Sequence, residues 1–195
     1  MKILMPLLVG FVLFSTHFTA YAQPDSAKIS QKVLLYADSL IKTDAYQSWT
    51  AYANLAPLPV IKFYGGKDGY IEHVKTVRQR THSTKDEDYP ERKVMSLMTE
   101  NDQWQCLVRV SRIFHKDDKQ FHQVTYFLGQ SKDEGETWKL FDLSFNTIAN
   151  VIYIFPEVFQ DMAIPEPSVL SEQEEIAQQQ AEAAAASKKS TSRKK

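Results

Sequence analysis

The sequence predicts an α+β fold in which three N-terminal helices pack on one face of a curved antiparallel β-sheet. Three observations carry this reading. Between Ser26 and Gln79 the apolar residues recur at helical spacing. After Arg92 the pattern changes to extended runs rich in β-branched and aromatic residues. The links between those runs are short and polar, which implies hairpins and therefore an antiparallel meander.

The first helix is expected from Ser26 to Ile41, with Ile29, Val33, Ala37, Leu40 and Ile41 on its inner stripe and Asp25 or Ser26 as cap. A second runs from Ala45 to Leu55, capped by Thr43 or Asp44, with Ala45, Trp49, Tyr52 and Ala53 facing inward. Pro57 and Pro59 close it. Val60–Tyr64 is short, β-branched and aromatic and reads as a brief strand. Gly65-Gly66 makes a tight turn into a third helix, Asp68 to Gln79, which buries Tyr70 or Ile71, then Val74 and Val77.

His82–Glu91 is a polar loop. The four extended runs are Lys93–Thr99, Trp104–His115, Phe121–Gln130 and Trp138–Ser144. Ile148–Phe155 is apolar, Pro156 can start a short helix, and the packed domain is expected to end at Pro167. A frayed Glu/Gln/Ala-rich helix follows from Ser171 to Ala186, opened by a capping box of Ser171 and Glu174. Ser187–Lys195 is basic, lacks apolar side chains and reads as disordered, available to contact an anionic surface.

The first residues have the three parts of a cleavable export signal: Lys2, an apolar run from Ile3 to Phe14, and Ala20-Tyr21-Ala22 before the cut. The organisation is thus residues 1–22 as signal, 23–167 as domain and 168–195 as tail, with a periplasmic or extracellular destination. Removing residues 1–22 from the 195 leaves 173, enough for one domain with a core. The full chain carries a net charge of −1; Lys2 supplies +1 and residues 171–195 a net +1, so residues 23–170 carry −3. That balance speaks against a nucleic-acid partner, which would need a basic face. The single cysteine, Cys106, has no disulfide partner within the chain and reads as a buried strand thiol.

Centring the tight turn on Asp118-Lys119 sets Arg109 opposite Leu128 and His115 opposite His122. One sheet face then carries Leu107, Arg109, Ser111, Ile113, Val124, Tyr126 and Leu128. The other carries Cys106, Val108, Val110, Arg112, Phe114, Thr125 and Phe127. Both are apolar enough to need covering: one by the helices, the other by the C-terminal segment or by a second copy in a homodimer. Arg109, Ser111 and Tyr126 interrupt the first face and, with Trp49 and Tyr52 at the pocket mouth, form the candidate ligand site. Arg109 would meet an anionic or carbonyl group, unless it pairs with an acid of the helices. His115, His122, Asp117 and Asp118 have the donor types of a zinc site but flank a charged hairpin tip without supporting groups, so no metal is assigned. No phosphate loop, nucleophile elbow or zinc-protease helix is present, and no cofactor is implied.

Ser131-Lys-Asp133-Glu-Gly135-Glu-Thr137-Trp138 resembles the Asp-box of sialidases and other β-propellers. That resemblance implies a hairpin whose Ser and Asp hold turn amides over a packed Trp, and it implies no glycosidase activity. On a broader scale, the helices, the short strand, Gly65-Gly66-Lys67-Asp68 before the third helix and the long meander resemble the nuclear transport factor 2-like superfamily over residues 26–165. The resemblance implies a cone of helices against a curved sheet, open at one end as a pocket. Its members include ketosteroid isomerases, dehydratases and polyketide cyclases as well as many secreted proteins with no known activity. No carboxylate base paired with a Tyr or protonated Asp donor matches the isomerases. The expected function is a non-catalytic binding domain for a small apolar or anionic ligand or a protein partner, and the alternative is an acid–base enzyme of those types.

Overall fold

The computed structural model describes residues 26–81, 89–100, 102–116, 119–144, 146, 148–171, 173–174 and 177. The expected export signal, most of the polar loop, Asp117, Asp118 and the basic end lie outside the described residues. In chain order the elements are α1 (Ser26–Ala45), α2 (Trp49–Asn54), α3 (Leu58–Phe63), α4 (Lys67–Thr81), β1 (Glu91–Glu100), β2 (Gln103–Lys116), β3 (Lys119–Ser131), β4 (Lys139–Asp142), α5 (Ile148–Ile154) and β5 (Ser168–Ser171). Helices thus precede an open antiparallel sheet of order β1-β2-β3-β4, and β5 pairs with β3 beyond the end of β4.

Four described helices, not three, come before the sheet. The segment expected as a strand, Val60–Tyr64, falls within and just after α3. Pro57 caps it in extended geometry and a proline lies in the first turn, where its fixed φ suits a helix and its missing N–H costs nothing. Val60 is buried, so the β-branched side chain serves the core from a helix instead of a sheet. α1 runs on to Ala45, so Asp44 sits in its last turn, buried, and does not cap a second helix. β5 also extends the packed fold past the expected end at Pro167. Ser171 and Glu174 do form the expected cap: Glu174 accepts from the Ser171 amide at 2.8 Å.

In the β2–β3 hairpin Lys116 pairs with Lys119, so the turn lies one residue earlier than expected. Arg109 faces Tyr126, His115 faces Gln120 and His122 faces Ile113, in place of the pairs derived from the later turn. The offset is two residues along one strand, which preserves the face of every side chain, because strand side chains alternate with period two. The two expected face sets therefore hold.

The face of Cys106, Val108 and Val110 meets the helices. Arg92, paired to Val110, bonds Asp38 of α1, and Asp142, paired to Phe127, bonds Arg78 of α4. The opposite face is covered by the segment after α5. There Gln105, fully buried, donates to the Glu157 carbonyl at 2.6 Å and accepts from the Phe159 amide at 2.9 Å. One apolar cluster joins both sides through the sheet, including Val33, Leu40, Val60, Leu128, Phe141 and Phe155. Cys106 is part of it, and burial pushes its thiol well above the ordinary range, so it stays protonated.

Between β3 and β4 the turn has the expected hydrogen bonds. Asp133 accepts from the Ser131 hydroxyl at 2.7 Å and the Thr137 amide at 2.9 Å, and the Gly135 amide donates to Ser131 Oγ at 3.0 Å. Gly135 has φ +85, which L side chains rarely adopt, and a Cβ there would press on Ile29 of α1 at 3.2 Å. The Trp138 indole donates to the Gly135 carbonyl at 3.0 Å and is completely buried.

Candidate functional site

The inner stripe of α4 runs Tyr70, Val74, Arg78, each four residues on, so an arginine occupies a position that would ordinarily be apolar. Asp44 ends the stripe of α1 in the same way, and Asp142 points from β4 toward the helices. The three charges meet under cover: Arg78 is 8 % exposed, Asp44 8 % and Asp142 6 %. Arg78 Nη2 donates to Asp142 Oδ2 at 2.8 Å. Arg78 Nε approaches Asp44 Oδ1, also at 2.8 Å, as an ion pair without the alignment of a hydrogen bond.

The second Asp142 oxygen accepts from the Ser144 amide at 2.8 Å and from the Ser144 hydroxyl, which in turn contacts Thr125 at 2.8 Å. Isolated burial of these ions would cost several kcal/mol each, so their mutual pairing is what permits them inside. Burial alone would lower the Arg78 pKa, but Asp142, Tyr52 and Asp44 outweigh it and hold the guanidinium charged. Burial raises both Tyr52 and Tyr70 well above the ordinary phenol range, with nearby Asp142 adding to it, so both hydroxyls remain protonated.

Outward from this cluster opens a cleft of about 330 Å³, lined by Gln47, Trp49, Lys75, Arg78 and Gln79. A second, broader opening of about 560 Å³ shares Gln47, Trp49 and Lys75 with it and adds Ser48, Thr50, Ala51, Asn54 and Ile71. The turn that places Trp49 is tightly bonded. The Gln47 amide reaches the Asp44 carbonyl at 2.9 Å and the Ser48 amide reaches that of Thr43 at 2.8 Å, with Gln47 at φ 54. Behind Trp49 a row of rings continues inward: Trp49 meets Tyr52 edge-on at 6.3 Å, Tyr52 lies 6.2 Å from Tyr70, and Tyr70 5.4 Å from Tyr64. His73 stacks on Tyr64 at 4.3 Å, and burial lowers its pKa.

The five residues singled out in the sequence do not form one site. Trp49 walls the cleft, and Tyr52 lies beneath it, buried against the Arg78 cluster. Arg109, Ser111 and Tyr126 sit on the opposite face of the sheet, away from the helices. There Tyr126 is buried beside Arg109, and Ser111 Oγ lies 2.7 Å from His122 Nε2. The separation follows from pleating: odd positions of β2 and even positions of β3 share the face that the C-terminal segment covers. His115 and His122 are not opposite each other, and no group of three His, Cys, Asp or Glu side chains suited to a metal exists among the described residues.

Sequence reasoning missed Arg78, Asp44 and Asp142. Arg78 and Asp44 each left a trace: Arg78 falls four residues after Val74 on the stripe that contains Tyr70, and Asp44 four after Leu40 on the stripe of α1, where a charge needs a partner. Comparison with protein-family models, with curated proteins and with solved structures yields no match to this chain.

Proposed function

We propose that this chain is an exported, non-catalytic binding domain of the nuclear transport factor 2-like type, and that its ligand enters the cleft beside Trp49. The order of helices before an antiparallel meander, with the helices on one sheet face, supports that fold type. The observation that carries the binding reading is the half-exposed Trp49 standing between two joined openings on a floor of fully engaged charges. Such a floor is rigid, since moving Arg78 would strand two buried carboxylates. An acid–base enzyme would need a carboxylate or histidine able to exchange a proton with the ligand, and among the described residues neither lines the two openings. Asp142 instead accepts from Arg78 on one oxygen and from Ser144 on the other. That commitment favours binding over catalysis.

The test is a ligand-observed NMR screen of small fragments against the mature chain and its Trp49→Ala variant. Hits are expected to lose their saturation-transfer signal in the variant while circular dichroism shows that it remains folded. Fragments that bind both proteins alike would place the site elsewhere. Mass spectrometry of exported protein should show a start at Gln23; a retained Met1 would remove the compartment from the proposal.

A further inference from the structure

We infer that the cleft beside Trp49 takes a neutral carbohydrate of at least two rings, a reading that rests on this cleft being the binding site. Three properties of the lining select the ligand class. The first is charge. The guanidinium at the floor, Arg78, is already paired with Asp44 and Asp142, and Lys75 at the wall bonds Glu72 at 3.0 Å. An anion could recruit Arg78 only by uncovering a buried carboxylate, which leaves Lys75, in an exposed and weak pair, as the cation it could meet, and the citrate probe below reads that out.

The second is hydrogen-bonding character. Gln47 and Gln79 in the inner opening and Ser48, Thr50 and Asn54 in the outer one are amides and hydroxyls. Each of these groups can both donate and accept, as sugar hydroxyls do. Beside them Trp49, Ala51 and Ile71 give the lining apolar surface, so the site offers the mixture of apolar faces and hydrogen-bonding edges that a sugar presents. Third, Trp49 supplies a flat apolar surface of the kind that the C–H face of a pyranose covers, while its polar lining neighbours address the ring edge. The two openings share Gln47, Trp49 and Lys75, so a ligand of two rings that occupies both passes the indole.

The experiment uses the mature full chain. Cellobiose, maltose and diacetylchitobiose are titrated alongside their monosaccharides, with citrate as the anionic probe and N-phenylnaphthylamine as the apolar one. Saturation-transfer NMR and tryptophan fluorescence report binding. At least one disaccharide should bind, about tenfold tighter than its monosaccharide, with little dependence on salt. Trp49→Ala should weaken it about tenfold or more, and Trp49→Phe should retain most of the affinity. Circular dichroism melting checks that both variants are folded. If citrate or the naphthylamine binds through Trp49 and every sugar fails, the carbohydrate inference is overturned and the cleft remains the site. If a sugar binds equally well without Trp49, the inference is also overturned. If no probe of any class responds to Trp49, both the inference and the binding reading fall.

Discussion

In the hairpin between β3 and β4, polar partners lie no more than four residues apart along the chain. Around Arg78 they come from α1, α4 and β4, and the Arg78–Asp142 bond spans 64 residues. Both networks place polar groups over or within the apolar core, yet they depend on the rest of the molecule in opposite ways. The hairpin closes a short loop at little entropic cost, and its bonds are available as soon as the turn forms. The Arg78 network exists only once helices and sheet have docked, and then each member is committed, because a missing partner leaves a bare charge inside. The same commitment makes it a firm floor for the Trp49 cleft, whereas the hairpin turn touches α1 and lies outside the cleft lining.

The sharpest way to break this comparison is Arg78→Met. It leaves Asp44 and Asp142 buried without their cation and should cost about 3–5 kcal/mol in urea unfolding. Adding Asp44→Asn and Asp142→Asn should recover much of that loss, since neutral amides need no counter-charge. A loss below about 1 kcal/mol for Arg78→Met would mean that the cluster is solvated and not a buried network.

Trp138→Ala tests the apolar half of the hairpin. Its indole is fully buried, and its removal should cost about 3–5 kcal/mol through lost contacts and the remaining cavity, read from the same denaturation curves. Affinity in the Trp49 cleft should persist in the molecules that stay folded. Selective loss of ligand affinity would assign the hairpin a role in the site.

On the other sheet face, Gln105→Ala removes both side-chain bonds to the segment at 157–159 and should cost about 2 kcal/mol. Limited proteolysis should then cut between Phe155 and Met162 more readily than in wild type. Unchanged cutting would show that apolar contacts, not Gln105, hold that cover.

The smallest effect is expected from Asp133→Ala, about 1 kcal/mol, because water reaches the carboxylate and competes for its bonds. Its hydrogen bonds to Thr137, first from the side chain and then from the backbone, hold the folded pKa below the ordinary value. The contribution is therefore complete above the unfolded value of about 4 and is lost as pH falls through the lower folded value. Wild type and variant should converge in stability at acid pH and differ most near neutrality. A gap that stays constant down to acid pH would assign the effect to turn geometry and not to the ionised carboxylate.

The site was half legible before the fold was known. Trp49 was expected on the inner stripe of the second helix, at the pocket mouth, and it does wall the cleft. Arg109 stood out by the same logic that should have marked Arg78: a charge on an apolar face. The sequence shows which positions on an element share a face, but not which face meets which neighbour. Arg109 fell on the side covered by the C-terminal segment, and Arg78 on the side where two carboxylates waited.

By itself, the sequence determined what depends on neighbours a few residues apart. These are the long helices α1 and α4, the strand-and-link pattern of the meander, the two sheet faces, the Ser131–Trp138 turn and the Ser171–Glu174 cap. Periodicity and turn chemistry act over that range whatever the rest of the chain does. Only the tertiary structure decided that Val60 enters the core from a helix, and that the β2–β3 turn sits one residue earlier. It also decided that Asp44, Arg78 and Asp142 share one buried site. Those outcomes depend on which surfaces remain to be covered once the elements dock. Strand propensity yields to packing there, and a buried charge is held by whichever opposite charge the docking brings within reach.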